Sequence, residues 1–90
     1  MKNRFCVYLH RKRDDLSVFY VGCGTHQRAH NLGLNSRNAD WAQVVKHHGV
    51  VVEIVKDGLT KSQAEDLEIL EISRHTNIVN KKKTGKPEIF

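Results

Sequence analysis

FCVYLH at residues 5–10 and VFYV at residues 18–21 are the stretches that decide the fold, because both are rich in β-branched and aromatic residues. The polar run RKRDD at residues 11–15 separates them and is typical of a connection between strands. The three segments together predict a β-hairpin. Gly22 and Gly24 follow the second strand, where glycines allow a sharp exit of the chain and close approach of a ligand to the backbone.

Two helices are predicted after the hairpin. The first is short and covers about residues 25–32. The second covers residues 36–48, with Asn38 as its N-cap and Gly49 at its C-terminal end. Trp41 and two valines that follow it lie on one side of this second helix, which therefore has an apolar face.

The strongest strand signal is the run VVVEIV at residues 50–55, and the DG pair at residues 57–58 predicts a turn after it. Thr60 and Gln63 then match a capping box, which opens a last helix that ends at Arg74. The resulting order, β-β-α-α-β-α, predicts an α+β fold in which helices flank a small three-stranded antiparallel sheet.

The composition bounds what the chain can do. It has 90 residues, with 15 Lys and Arg against 10 Asp and Glu, a formal charge of +5 and a pI near 9.5. A chain of this size forms one modest core, so we expect a single domain over residues 1–90 with a short basic tail from about residue 81. The positive surplus fits an anionic partner, most commonly nucleic acid, and it fits equally a surface charged for solubility.

The sequence has no features of a membrane protein or of a disulfide-stabilised one. It contains no run of about 18 to 20 apolar residues, so we expect no contact with a membrane and a cytoplasmic location. Cys6 and Cys23 could form one bridge at most, and a secreted domain that depends on disulfides usually has more. We therefore expect both thiols to be reduced.

The last helix carries a carboxylate in an unusual place. Ala64, Glu68 and Ile72 follow one another along one line of the helix, so Glu68 has small or apolar neighbours. A carboxylate on an inward-facing line is costly unless it is paired or holds a cation, which makes Glu68 a candidate site residue. Ile69 and Leu70 leave the buried face of the helix ambiguous, so a purely structural role stays open.

Tyr8, Tyr20 and Arg28 are further candidates. The two tyrosines lie on the two hairpin strands, where cross-strand placement could bring both hydroxyls together, although core tyrosines are the commoner case. Arg28 follows the glycine-flanked turn. A guanidinium there could hold a phosphate with two hydrogen bonds or could simply be solvated.

These residues together resemble the GIY-YIG nuclease superfamily. The two strand motifs are CVY at residues 6–8 and, after eleven intervening residues, YVG at residues 20–22. The longer stretches YVGCGTHQRA, SRNADW and GLTKSQAEDLEI are similar to those of phage-type, stand-alone and homing-like members. The resemblance covers roughly residues 5–80, and it implies a GIY-YIG-like α+β fold.

The resemblance implies roles for particular residues. Arg28 matches the catalytic arginine of the family, Glu68 its metal-binding glutamate and Asn80 its late asparagine. The implied activity is that of a metal-dependent DNA endonuclease, which hydrolyses phosphodiester bonds with one Mg²⁺ or Mn²⁺ held by Glu68 and water. One of Tyr8 and Tyr20 would act as the general base, and the choice between them stays open.

Three positions depart from the family pattern. Cys6 stands in place of glycine in the first motif, and Cys23 stands where relatives often carry a lysine after YVG. Leu32 stands where many relatives have a histidine. His30 is the candidate to take that histidine's place in the site, and His26 is a weaker one.

The resemblance also implies contacts to the DNA backbone, which basic side chains would make. The expected contacts come from Arg28, Arg37, Lys81, Lys82 and Lys83. Gly22, Gly24 and Asn80 are expected to be structural residues beside the site. The chain has no room for a separate DNA-binding module, so we expect low sequence specificity, or specificity supplied by a homodimer or another partner.

Three alternatives remain. RNA could be the substrate in place of DNA, and this alternative ranks lower because the sequence shows no stacking-aromatic pattern of the kind found in single-strand RNA readers. The chain could be a nucleic-acid-binding module of the same fold with weakened catalysis, because Cys23 and Leu32 stand where relatives carry a lysine and a histidine. Cys23, His26 and His30, together with Cys6, also have spacings found among zinc ligands, although the usual paired ligand motifs are absent.

Overall fold

The computed structural model describes residues 4–33, 37–75 and 77–80. Within these residues, three strands and three helices follow one another in the predicted order, so the α+β fold with a three-stranded antiparallel sheet is confirmed. The elements are β1 (Phe5–Arg11), β2 (Val18–Gly24), α1 (His26–Ala29), α2 (Ala39–His48), β3 (Val51–Leu59) and α3 (Lys61–Arg74).

β1 is the central strand of a sheet with the order β2-β1-β3, and both of its neighbours run antiparallel to it. In the predicted hairpin, Tyr8 lies opposite Gly22. The ladder shifts by one residue near the start of β2, where Phe19 is left without a partner on β1. This bulge turns Phe19 towards Trp41 of α2, against which it packs.

The two faces of the sheet carry different helices. Val7 and Val21 face α3, where they pack in one core cluster with Ala64. Tyr8 faces the other way and packs in a second cluster with Ala29 of α1. α2 lies on this second face as well, because its tryptophan bonds to a side chain there. Successive side chains of a strand point to opposite faces, so the alternation along β1 and β2 decides which helix each residue meets.

Capping groups set the starts of the first two helices. Thr25 accepts a hydrogen bond from the backbone N–H of Arg28, and α1 is a single turn of four residues. It is shorter than predicted, because the asparagine and glycine that follow it favour turns. Asn38 caps α2 as predicted and accepts from the backbone N–H of Trp41 at 2.8 Å. Residue 36, the predicted start of this helix, lies outside the described residues.

The prediction of a turn at Asp57 and Gly58 is wrong. β3 continues through both residues to Leu59, which pairs with Phe5 and is buried. The ladder gains a residue on β3 just before this pair, and Gly58 adopts a φ of 68° there. Glycine is therefore needed for a bulge within the strand and not for a turn that ends it.

α3 begins with the predicted capping box. Thr60 accepts from the backbone N–H of Gln63 at 3.1 Å, and Gln63 accepts from the backbone N–H of Thr60 at 3.0 Å. Ala64 and Glu68 are both buried, whereas Leu70 is 46% exposed. The line of residues predicted to face inward therefore does so.

Candidate functional site

The ring of Tyr8 lies across the backbone of Gly22. A Cβ atom on Gly22 would be 2.5 Å from both the Cζ atom and the hydroxyl oxygen of Tyr8. Any side chain at this position would have to displace the ring, so the glycine of the YVG motif makes room for the tyrosine of the CVY motif.

His10 joins the two tyrosines. Its ring centroid is 5.2 Å from that of Tyr8 and 5.5 Å from that of Tyr20. Its Nε2 atom donates to the Ala29 carbonyl at 2.9 Å, and its Nδ1 atom accepts from the indole N–H of Trp41 at 2.9 Å. These partners require a neutral ring with the proton on Nε2, because a carbonyl can only accept and an indole N–H can only donate.

The surroundings of His10 keep its ring neutral. Burial lowers the pKa of His10 to about 4, and the positive charges of Arg37 and Arg28 act in the same direction. The hydrogen bond to Ala29 opposes this shift without cancelling it. His10 is thus a neutral link between the sheet, α1 and α2.

The guanidinium of Arg37 lies between the tyrosines and α1. Its Nη2 atom donates to the hydroxyl of Tyr8 at 3.0 Å and to the carbonyl of Arg28 at 2.8 Å, and its Nη1 atom donates to the carbonyl of Asn31. Its Cζ atom is 5.7 Å from the ring centroid of Tyr8 and 5.3 Å from that of Tyr20, within cation–π range. One side chain therefore links both tyrosines to the helix that carries Arg28.

The hydroxyl of Tyr8 is buried, and this affects its acidity. The side chain is 1% exposed. Burial raises the pKa of Tyr8 above its ordinary value of 10, and the hydrogen bond and charge of Arg37, with the charge of Arg28, only partly offset that rise. In this conformation Tyr8 is protonated at pH 7. Tyr20 is half-buried and thus more accessible.

Arg28 lies at the end of β2. Its side chain packs against Gly24, where an added Cβ atom would be 3.2 Å from the Cγ atom of Arg28. Residues 22 and 24 face the same side of the sheet, since alternate residues of a strand share a face. Arg28 therefore reaches the strand end from the side on which Tyr8 lies.

Glu68 reaches the same strand end from the other face of the sheet. Its side chain is buried, and its Oε1 atom accepts a hydrogen bond from the thiol of Cys23 at 3.5 Å. Cys23 packs on the α3 side of the sheet. Because Cys23 and Gly24 are consecutive, Glu68 and Arg28 contact neighbouring residues of β2 from opposite sides. In the part of the chain that the structure describes, β2 is an edge strand of the sheet, so no further strand separates the two sides there.

A second buried carboxylate on α3 has different surroundings. Glu71 forms an ion pair with Arg74 at 3.0 Å, and its other carboxylate oxygen is 3.4 Å from the Nε2 atom of His75. Its burial is close to that of Glu68, and the partners described for its two oxygens lie at the C-terminal end of the helix. Glu71 thus provides a natural comparison for Glu68.

His30 and His26 lie on the exposed side of α1. The Nδ1 atom of His30 donates to the carbonyl of His26 at 3.0 Å, and the Nε2 atom of His26 is 3.4 Å from a carboxylate oxygen of Asp57. Neither side chain has a described bond to Tyr8 or Glu68, so the role predicted for His30 stays a prediction. Leu32, at the position where many GIY-YIG proteins have a histidine, is exposed.

Asn80 holds the outer edge of β2. Its Oδ1 atom accepts from the backbone N–H of Val21 at 3.0 Å, and its Nδ2 atom donates to the carbonyl of Val21 at 2.6 Å. The side-chain amide thus takes the place of a neighbouring strand and covers an edge that would otherwise be open. Val21 lies between Tyr20 and Gly22, which supports the expected structural role beside the site. Residues 81–83, the three predicted lysine contacts, lie outside the described residues.

The zinc alternative has no geometric support in the described residues. Cys6 packs with Tyr8 on one face of the sheet, whereas Cys23 faces α3 on the other. No group of three or more His, Cys, Asp or Glu side chains converges in the part of the chain that the structure describes. Neither cysteine forms a disulfide bond within the described residues.

Reasoning from the sequence missed the contribution of His10 and the internal partners of Arg37. A signal for His10 did exist, because residues 8 and 10 of one strand point to the same face. The position of the Arg37 guanidinium depends on the path of the chain between α1 and α2, which no local pattern specifies.

Comparisons of the chain with family models, with curated proteins and with solved structures find no match. The resemblance to the GIY-YIG superfamily therefore rests on the motifs and their spacing. Among the described residues, no helix has the length and apolar character that crossing a membrane requires.

Proposed function

We propose that this protein is a metal-dependent DNA endonuclease that hydrolyses phosphodiester bonds. The observation that carries the proposal is the arrangement around the end of β2. Arg28 and the two tyrosines lie on one side of this edge strand, and the buried carboxylate of Glu68 lies on the other. A cation and a carboxylate on the two sides of the same strand end are suited to a phosphodiester group that lies against it.

Arg28 is the proposed phosphate-binding residue. A guanidinium can donate two parallel hydrogen bonds to phosphate oxygens and remains charged at all relevant pH values. Its attachment to a single helical turn, fixed by Thr25 and by the bond from His10 to Ala29, limits the loss of conformational entropy on binding.

The donor chemistry at Glu68 fits a hard divalent cation such as Mg²⁺ or Mn²⁺. A carboxylate oxygen is a preferred ligand for these ions, and Mg²⁺ is commonly held by one or two carboxylates with water in the remaining positions. When bound there, such an ion would polarise the phosphate and stabilise the leaving oxygen.

A tyrosine is the proposed proton acceptor for the attacking water. The water oxygen bonds to phosphorus as its proton passes to a phenolate, and the departing oxygen takes a proton from solvent. Tyr8 has the nearby positive charge that such a role needs, while Tyr20 has the better access. A phenolate at neutral pH requires a state in which Tyr8 is less buried, or the use of Tyr20 instead.

A specific observation also favours the alternative, a nucleic-acid-binding module with weakened catalysis. The thiol of Cys23 contacts Glu68 at the position where relatives often carry a lysine, and burial raises the pKa of Tyr8. Both features lower the expected rate of hydrolysis and leave the binding of a polyanion unaffected.

Nicking of supercoiled plasmid distinguishes the two functions. Wild-type protein is incubated with Mg²⁺, Mn²⁺ or EDTA beside Arg28→Gln, and gel mobility shifts on the same DNA record binding. Nicking with either metal ion that EDTA and Arg28→Gln abolish is the expected result. A mobility shift without cleavage under any condition would contradict the nuclease and favour the binding module. A homodimer or a partner, detected by light scattering with and without DNA, would supply the sequence specificity that one small domain lacks.

A further inference from the structure

Arg37 is a basic residue whose guanidinium is directed into the protein. The residue is only partly exposed, and its charged group is within cation–π distance of three aromatic rings, the third being that of Trp41 at 5.2 Å. Its described hydrogen bonds go to the Tyr8 hydroxyl and to two backbone carbonyls. An arginine that binds a phosphate at the surface would instead direct its guanidinium towards solvent.

Two of these contacts fix the end of α1. The carbonyls of Arg28 and Asn31 lie in and just after a helix of only four residues, which is too short to hold itself by its own hydrogen bonds. A cation at the carbonyl end of a helix also interacts favourably with the helix dipole. The guanidinium therefore secures the one turn from which the Arg28 side chain projects.

The remaining contact links this turn to β1. The same Nη2 atom that donates to the carbonyl of Arg28 at 2.8 Å donates to the hydroxyl of Tyr8 at 3.0 Å. A planar guanidinium can serve several acceptors in a fixed geometry, whereas the single ammonium of a lysine cannot span them in the same way. Tyr8 and Arg28 are thus held at a set distance by a third residue.

We propose that Arg37 is a positioning residue of the candidate site, which fixes Arg28 and the Tyr8 hydroxyl relative to each other and does not contact the nucleic acid. This inference rests on the proposed nuclease function. Arg37 also supplies a positive charge beside both tyrosines. This positioning role is proposed in place of the phosphate contact that the sequence led us to expect for Arg37.

The salt dependence of DNA binding tests whether Arg37 contacts a phosphate. Each phosphate contact contributes about 0.9 to the slope of log affinity against log salt concentration. Arg28→Gln is expected to reduce this slope by about 0.9, and adding Arg37→Gln to Arg28→Gln is expected to leave the slope at the value of Arg28→Gln alone. A further reduction of about 0.9 in the double variant would show a separate phosphate contact by Arg37 and overturn the proposal.

The titration of Tyr8 tests the internal contact without any need for cleavage. The chain has two tyrosines, so Tyr20→Phe leaves Tyr8 as the only one, and its ionisation can be followed by ¹³C NMR of labelled tyrosine. Adding Arg37→Gln is expected to move the onset of ionisation upward by about one pH unit, because an adjacent positive charge is lost. Arg13→Gln, which removes an arginine bonded to the Val50 carbonyl, is the matched control and should cause no shift. An unchanged onset with Arg37→Gln would overturn the proposal.

Arg37→Lys keeps the positive charge and removes the planar guanidinium with its several N–H donors. A phosphate contact would survive this change in large part, whereas a positioning role would not. We expect kcat for nicking to fall by about 100-fold, with KM altered by no more than a few fold. A displaced Arg28 would stabilise the transition state less well, while the affinity for DNA would change little. Wild-type kcat with Arg37→Lys would contradict the proposal, and this variant also replaces Arg37→Gln in the titration if the latter does not fold. If the wild type never cleaves DNA, the nuclease function fails, while the salt slope and the titration still decide the role of Arg37.

Discussion

Gly22 lies directly opposite Tyr8 in the β1–β2 ladder, and a methyl group on Gly22 would be 2.5 Å from the Tyr8 hydroxyl oxygen. The two strand motifs are therefore matched in shape as well as in register. The tyrosine of one strand occupies the space that the glycine of the other leaves free. Its hydroxyl is then within 3.0 Å of the guanidinium of Arg37.

Gly22→Ala is expected to destabilise the fold by about 1–3 kcal/mol, because the added methyl group overpacks a site with no free space. It should also displace the Tyr8 hydroxyl and slow nicking. Urea unfolding, with plasmid nicking on the same preparations, checks both effects. Gly33→Ala is the matched control, since a Cβ atom there would meet its nearest neighbour at an ordinary 3.6 Å. Equal stabilities of the two alanine variants would contradict the packing described for Tyr8.

His10 is expected to make the stability of the protein depend on pH between about 6.5 and 4. Burial lowers the pKa of His10 from 6.5 to about 4, so the unfolded chain takes up a proton before the folded protein does. The stabilisation is fully present above pH 6.5 and is lost as the pH falls to about 4, in total about 3 kcal/mol. Free energies of unfolding measured by urea denaturation across this range check the slope.

His10→Gln separates this effect from other titrations. Glutamine stays neutral at every pH and keeps one donor for the Ala29 carbonyl and one acceptor for the Trp41 indole. The variant should be less stable than the wild type at pH 7, but its free energy of unfolding should no longer fall between pH 6.5 and 4. His47→Gln, at an exposed histidine whose described side-chain contact is with Gln43, should keep the slope. A wild-type slope in His10→Gln would show that other groups cause the dependence.

Asn80→Ala is expected to cost about 1–3 kcal/mol, because it removes both hydrogen bonds to the backbone of Val21. The amide proton of Val21 should then exchange with solvent faster, as hydrogen-exchange NMR would record. Gln43→Ala is the control for the loss of a side-chain amide elsewhere, because this exposed amide contacts only a histidine side chain in the described structure. It should leave the exchange of the Val21 amide unchanged. Unchanged protection of Val21 in Asn80→Ala would contradict the role described for this residue.

The parts of the fold that local signals govern could be predicted from the sequence. The hairpin follows from two strand-forming stretches, and α3 follows from the Thr60–Gln63 capping box and the line of Ala64 and Glu68. The turn predicted at Gly58 was wrong because a glycine serves a bulge as well as a turn, and only the pairing of Phe5 with Leu59 distinguishes the two.

The candidate site could be predicted in its residues but not in its arrangement. The motifs indicate Tyr8, Tyr20, Arg28 and Glu68, yet nothing in them tells that Glu68 and the tyrosines approach β2 from opposite faces. That depends on which face of the sheet α3 covers. The burial of the Tyr8 hydroxyl likewise arises from tertiary packing with Arg37, which lies 29 residues away in the sequence.

Metal-dependent nicking by Glu68→Gln, measured beside Glu71→Gln, is the most direct test of the proposed nuclease. Both carboxylates lie on α3 and are buried to a similar degree, but Glu71 is held by Arg74 and His75, whereas Glu68 lies at the strand end beside Cys23. We predict that Glu68→Gln loses nicking with Mg²⁺ by about 100-fold or more while it still binds DNA, and that Glu71→Gln nicks within a few fold of the wild type. Nicking by Glu68→Gln at the wild-type rate, or equal losses in the two variants, would contradict the proposed role of Glu68.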